Sequence, residues 1–195
     1  IELFNKMAKQ YLFFKSECPA QFFANLAVNF KDYIIKYSFG FSLKHLYLLI
    51  KRKTLMENNI KIKWGIVGLG NIAQQFASEL QLIESAELCA VASRNIDKAQ
   101  DFANQFQCPK AYGSYDELFQ DENIDILYIA TPHDSHAELT IKALQNNKNV
   151  LCEKPLALHY ADVEKMIATA KKQNKFFMEA FWTRFNPSIL ETLEH

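Results

Sequence analysis

Lys61-Ile-Lys-Trp-Gly-Ile-Val-Gly-Leu-Gly-Asn-Ile-Ala73 is the stretch whose reading decides the fold. An apolar strand runs into Gly68-x-Gly70-x-x-Ala73, and a helix opens behind it. Each small residue has its own physical task. Gly68 permits the tight turn off the strand. Gly70 lets the backbone approach a pyrophosphate with no Cβ in the way. Ala73 lets the helix pack close to the strand. The pyrophosphate would rest on the free N–H groups and positive dipole end of the helix, at Asn71 and Ile72. A glycine fingerprint alone also fits an ordinary strand–turn–helix. The apolar strand before it and the helix after it give it meaning as a dinucleotide site.

A second buried strand follows the first helix, Ala86-Glu-Leu-Cys-Ala-Val-Ala-Ser93. A site that prefers NAD usually ends this strand on Asp or Glu, which holds the ribose 2′-OH. This chain has Ser93-Arg94-Asn95 there. No carboxylate repels a 2′-phosphate. Arg94 offers a planar fork to it and Ser93 a hydroxyl. The expected cofactor is NADP, with NAD as the alternative. The bland reading of Arg94 is a solvated residue, or one stacked on the adenine without discriminating. A missing carboxylate also argues against an FAD-type or methyltransferase-type site.

Strands and helices then alternate. The first helix is expected over Ile72 to Ile83. The second runs from Asp97 to Gln107, with Ala99, Phe102, Ala103 and Phe106 on one face. Lys110-Ala-Tyr-Gly is extended, and Ser114-x-x-Glu117 reads as a capping box. Ile124 to Thr131 is an apolar strand, and Ser135 to Asn147 a helix with Ser135 as its N-cap. Asn149 to Cys152 is a strand. Tyr160 to Asn174 is a helix with Val163, Met166, Ile167 and Ala170 inward, and Lys175 to Met178 is a last strand. This alternation means an α/β fold with a doubly wound parallel sheet. Ligands of such sheets bind beyond the carboxyl ends of the strands.

Two strand ends carry chemistry. The first is Thr131-Pro132-His133-Asp134-Ser135-His136, the second Glu153-Lys154-Pro155. A lysine at the second can hydrogen-bond a substrate hydroxyl and the nicotinamide ribose, and stabilise a developing alkoxide. An isolated lysine is ordinarily a solvated charge. Its place at a strand's carboxyl end favours a functional role for Lys154. His133 and His136 are spaced like metal ligands, but no further ligand cluster accompanies them, so no metal is expected. One is expected to contact the nicotinamide or the substrate, the other to be a loop residue.

Gly68-Leu-Gly-Asn-Ile-Ala, Ala130-Thr-Pro-His-Asp-Ser-His136, Leu151-Cys-Glu-Lys-Pro-Leu156 and Phe177-Met-Glu-Ala-Phe-Trp-Thr-Arg-Phe-Asn-Pro187 occur together. In this combination the chain resembles the glucose–fructose oxidoreductase/inositol dehydrogenase (Gfo/Idh/MocA) family. The Met-Glu-Ala-Phe-Trp-Thr-Arg-Phe run and Ala111-Tyr-Gly-Ser-Tyr115 are similar to its dimeric dihydrodiol dehydrogenase and NADP-dependent D-xylose dehydrogenase branch. The resemblance covers Lys61 to about Pro187. It implies a Rossmann domain and an NADP-linked oxidation of a cyclic sugar or trans-dihydrodiol. By the same resemblance Lys154 matches the catalytic lysine and His136 a histidine near the nicotinamide. Glu153 and Pro155 match cofactor-contacting neighbours of the lysine. Thr131, Pro132 and His133 belong to the cofactor-binding set. Trp182 and Arg184 match residues lining the substrate pocket.

Members of that family carry a second α/β domain that supplies an acid–base tyrosine, and no residue here matches it. A short-chain dehydrogenase would use a Tyr-x-x-x-Lys pair, but Tyr160 is followed four places on by Glu164. The expected division is an extension over residues 1–55, a dinucleotide-binding domain over 56–178, and the start of a truncated substrate and dimerisation domain over 179–195. The fragment is expected to bind cofactor better than it turns over substrate. A full-length homo-oligomer through the missing domain is implied. A non-catalytic NAD(P)-binding regulatory module is the alternative function.

The net charge of zero hides two differently composed parts. Residues 1–55 hold eight Phe and four Tyr and carry a charge of +6, leaving −6 for the rest. Met56 reads as the native start, and the preceding stretch as translated upstream sequence or an unrelated extension. The competing reading is a partner-binding or membrane-surface helix, since Phe41 to Lys53 is apolar with a basic end. It is too short and too basic to span a bilayer. The nucleotide domain is acidic, so nucleic acid is not an expected partner. The four cysteines, Cys18, Cys89, Cys108 and Cys152, show no C-x-x-C spacing and read as free thiols of a cytoplasmic protein.

Overall fold

The computed structural model describes residues 61–181 of the 195. The extension, Met56, Cys18, Trp182, Arg184 and most of the expected second-domain segment lie outside the described residues.

Six strands form one sheet: β1 (Ile62–Val67), β2 (Ala86–Ala92), β3 (Lys110–Tyr112), β4 (Ile126–Ile129), β5 (Asn149–Glu153) and β6 (Phe177–Ala180). Every pairing is parallel, and the spatial order is β3-β2-β1-β4-β5-β6. This is the doubly wound Rossmann-type order, with its reversal between β1 and β4. Among the described residues the α-helices are α1 (Asn71–Leu80), α2 (Ile96–Gln105), α3 (Tyr115–Gln120), α4 (His136–Gln145) and α5 (Tyr160–Lys172). A short 3-10 turn over His133–Ser135 leads into α4.

Parallel strands covered on both faces read as continuous apolar runs rather than alternating ones. Ile126 to Ile129 are all buried, as are the last four residues of β1. Two clusters fill the two faces. Leu88, Val91, Ile126, Tyr128 and Leu151 pack with Ala73, Ala77, Ala99 and Phe102 of α1 and α2. On the other face Val67, Leu127, Ile129, Val150 and Cys152 pack with Leu118, Leu139, Leu144 and Met166. Small residues spaced four apart, Ala73 and Ala77, bring α1 close to the sheet.

Three helices stop in the same way. Gln107, Asn147 and Asn174 adopt φ of 54°, 62° and 51°. The next amides, Cys108, Lys148 and Lys175, each donate to a carbonyl five residues back. This left-handed stop satisfies carbonyls that the helix end leaves open and turns the chain into the following strand.

Several local expectations shift. Helix starts and ends move by up to three residues, while the start of α5 at Tyr160 stands as read. Asn95, read from the sequence only as part of the phosphate-reading turn, is the N-cap of α2 and accepts from Lys98 N–H at 3.1 Å. Ser114 caps α3 through Asp116 N–H, not through the third-position amide of a capping box. Ser135 does not cap α4: its hydroxyl donates to the Pro132 carbonyl and approaches Thr131 Oγ1 at 2.8 Å instead. Ile167 is exposed, and α5 buries only Met166 and Ala170 fully. Cys89, Cys108 and Cys152 are free and buried, and burial pushes their thiols up to about 11, 11 and 12.

Candidate active site at the carboxyl ends of β1, β4 and β5

The crevice opens where the strand order reverses. Gly68 leaves β1 with φ of +85°, a conformation that L side chains rarely adopt. Its amide donates to the Ala92 carbonyl at the end of β2. Gly68 also packs directly on the β4 exit: an added Cβ would stand 2.7 Å from Thr131 Cγ2. Gly70 is different. An added Cβ there would meet nothing within 4 Å. Gly70 is therefore not demanded by protein packing, and the open space before it suits a group brought in from outside.

That space faces the start of α1. Gly70 is the N-cap residue, with no side-chain cap, and the first turn holds no acidic residue. Asn71 and Ile72 are exposed and Ala73 is buried. The first intrahelical amide bond to Gly70 comes from Gln74. An uncapped ten-residue helix with its first N–H groups facing open space suits a pyrophosphate through its dipole and its donors.

At the end of β2, Ser93 is buried and its Oγ accepts from Asn95 N–H at 3.3 Å. Arg94 is exposed and pairs with no carboxylate among the described residues. The Asn95 side chain is committed to capping α2.

The β4 exit is more tightly built. Thr131 is buried, whereas Pro132 and His133 are exposed. His136 is fully buried at the first position of α4. Its Nε2 lies 2.9 Å from the Thr131 carbonyl and its Nδ1 2.8 Å from the Pro155 carbonyl. Both neighbours are acceptors. The nitrogen that carries hydrogen holds the carbonyl it faces, and with both protonated the ring holds both. His136 thus lies between the β4 exit and the β5 exit, each ring nitrogen facing a backbone carbonyl. His133 stands edge-on to it at 5.6 Å between ring centroids. Among the described residues no group of three or more His, Cys, Asp or Glu is placed to hold a metal ion.

At the β5 exit Glu153 closes the strand and Lys154 is exposed beyond it. Glu153 is held on both oxygens. Oε1 accepts from the Tyr128 hydroxyl at 2.6 Å, and Oε2 from the Lys154 N–H at 3.1 Å. The Lys154–Pro155 peptide is cis. Leu156 N–H donates to Glu179 of β6 at 3.3 Å. The turn that presents Lys154 is therefore anchored by β4 and β6. Sequence reading missed Tyr128 and Glu179. The available signal for Tyr128 was chemical: a hydroxyl inside an otherwise aliphatic buried strand needs a partner.

The crevice thus gathers Gly68, Gly70, Thr131, His136, Glu153 and Lys154 around the strand ends. Trp182 and Arg184 lie outside the described residues.

Residues 62–181 match the family model GFO_IDH_MocA, described as an oxidoreductase family with an NAD-binding Rossmann fold. Among curated relatives, the trans-1,2-dihydrobenzene-1,2-diol dehydrogenase of Xenopus tropicalis is 46% identical over 127 residues, covering 64% of this chain and 38% of the relative. That of Mus musculus is 45% identical over 130 residues, covering 66% and 39%. The chain spans about two fifths of the length of these relatives. Among solved structures, the 3-ketoreductase KijD10 from Actinomadura kijaniata in complex with NADP superposes with a TM-score of 0.66 at 29% identity, covering 69% of this chain and 43% of that one. A probable dehydrogenase from Thermotoga maritima gives 0.65 at 32% identity, covering 68% and 40%. The fingerprint turn, the strand order and the matched model agree, and the chain belongs to the Gfo/Idh/MocA oxidoreductase family, whose nucleotide-binding domain it carries from residue 62 to 181.

Proposed function

We propose that this chain is the NADP-binding half of a dehydrogenase that oxidises the CH–OH group of a cyclic sugar or a trans-dihydrodiol. The observation that carries the reading is the open space before Gly70, at the uncapped start of α1. Ser93 and Arg94, with no carboxylate beside them, favour a 2′-phosphate and so NADP over NAD. The relatives named as dihydrodiol dehydrogenases support the substrate class.

A bound nicotinamide supplies the hydride acceptor. The substrate carbon gives up a hydride and its hydroxyl oxygen a proton, leaving a carbonyl. Lys154 stabilises the negative charge that grows on that oxygen. His136 sits between the two loops that flank the reacting groups. The proton acceptor is the tyrosine of a second domain, as the family resemblance implies. Trp182 and Arg184 line the substrate pocket, and the complete protein is a cytoplasmic homo-oligomer through that domain.

The test has two parts. NADPH fluorescence titration of this chain should show binding that is tighter than for NADH. In the protein carrying its second domain, Lys154→Met should keep the cofactor affinity and lower kcat about a hundredfold, about 3 kcal/mol. An unchanged kcat with a raised KM overturns the catalytic assignment. Binding without diol or aldose oxidation by that protein supports a regulatory module instead.

A further inference from the structure

Tyr128 lies in the middle of the sheet, 2% exposed, within the buried run Ile126–Ile129. Its ring stacks on Phe76 of α1 with centroids 3.9 Å apart and planes 19° apart. Trp64 of β1 also packs on Phe76, with centroids 5.3 Å apart. A tyrosine gripped in this way has little freedom to move its hydroxyl. That hydroxyl donates to Glu153 Oε1 at 2.6 Å. The other oxygen of the same carboxylate accepts the Lys154 N–H at 3.1 Å.

A path of contacts therefore runs from the aromatic stack to the peptide of Lys154. We propose that Tyr128 is a positioning residue for Lys154, acting through the Glu153 carboxylate. A glutamate has three rotatable torsions, and at the rim of a crevice water competes for its oxygens. A short hydroxyl-to-carboxylate bond is charge-assisted and stronger than a neutral one. It fixes one oxygen, which leaves the other aimed at the Lys154 amide. Burial and the neighbouring carboxylate hold the Tyr128 phenol well above its usual range, so it stays a donor throughout the working pH range. His136 Nδ1 lies 2.8 Å from the Pro155 carbonyl, beside the same turn. The turn is thus fixed at the amide of Lys154, and the lysine side chain stays exposed to reach a ligand.

The inference rests on the reading of Lys154 as the group that meets the substrate. Its first test needs no turnover. Amide hydrogen exchange in this chain should show Lys154 exchanging at least tenfold faster in Tyr128→Phe, with Val150, Leu151 and Cys152 unchanged. The Phe ring preserves the stack on Phe76. Unchanged exchange at Lys154, or equal acceleration along all of β5, overturns the proposal. If Tyr128→Phe does not fold, Glu153→Ala probes the same link from its other end by removing both acceptors, and unaltered Lys154 exchange there also overturns it. The second test is a cycle in the protein carrying its second domain. Tyr128→Phe should lower kcat about tenfold in the parent and have no effect in a Lys154→Met background, as expected for residues acting through one contact. A further loss in that background overturns the proposal. If Lys154→Met alone leaves kcat intact, the functional reading fails, while the exchange result still decides whether Tyr128 holds the turn.

Discussion

Gly68 and Thr131 are in direct contact across the point where the strand order reverses, so close that a Cβ on Gly68 would stand 2.7 Å from Thr131 Cγ2. The Ala130 carbonyl lies only 3.0 Å from the same position. The turn off β1 and the exit of β4 are therefore one packed unit.

Gly68→Ala should destabilise the protein. Its φ of +85° strains any L side chain, and the neighbouring Ala130 atoms are backbone, which cannot rotate away. Strain of this kind costs about 1–3 kcal/mol, before any displacement of the β4 exit. Thermal melts should show a clear fall in Tm, and NADPH affinity should fall with it. An unaltered Tm would show that the turn relaxes freely.

Gly70→Val should separate binding from stability. Nothing in the protein opposes a Cβ there, so Tm should hardly change. The side chain would occupy the space where a pyrophosphate approaches. NADPH affinity should fall at least tenfold, about 1.4 kcal/mol or more, by fluorescence titration. Retained affinity would place the cofactor elsewhere.

Arg94→Ala should cost about 1–3 kcal/mol of NADPH binding, the range for a charge-assisted bond, and little for NADH. Calorimetric titration of both cofactors against both proteins would check this. Equal losses would show that Arg94 contacts a part common to the two.

Asp121 offers a prediction in pH. Burial opposes its ionisation, but bonds from Lys110 at 2.7 Å, Tyr112 at 2.9 Å and Asn123 N–H at 3.0 Å overcome it and hold the carboxyl below its usual range. A depressed carboxyl contributes stability that is present above its unfolded pKa, near 4, and is lost as pH falls through the lower folded value. Asp121→Asn should therefore lower Tm at pH 7, by about 1–3 kcal/mol of stability for hydrogen bonds to a charged group. The gap to the parent should narrow below about pH 4. A gap constant from pH 7 to pH 3 would mean that charge plays no part.

How much of this was legible in the sequence follows from the range of each interaction. The β1–α1 turn was legible because its demands are local. A positive φ, a missing Cβ and a small helix residue all fall within six positions. Buried parallel strands were legible because both faces are apolar. Lys154 was placed correctly beyond β5 because its position depends only on where the strand stops. The partners of that strand end were not legible. Tyr128 and Glu153 are 25 residues apart and meet through the register of β4 on β5. His136 touches a carbonyl 19 residues away for the same reason. Ser135 has the chemistry of a cap, yet Thr131 Oγ1 and the Pro132 carbonyl compete for its hydroxyl. Lys148, which a sequence reader would leave in water, is 5% exposed and donates to the carbonyls of Asp121 and Ile124.

The three buried cysteines have a consequence of their own. The thiolate, not the thiol, reacts with alkylating reagents and peroxides. A sulfur titrating near 11 is ionised at pH 7 in roughly one molecule in ten thousand, and these are also shielded by the sheet. In the folded protein they therefore react slowly. Each becomes visible only when its strand or loop opens. Cys89 on β2, Cys108 before β3 and Cys152 on β5 sit on both sides of the nucleotide crevice. Their labelling rates are thus three native clocks for the breathing of the two halves, and the lag that a dinucleotide imposes on each would time which half it clamps.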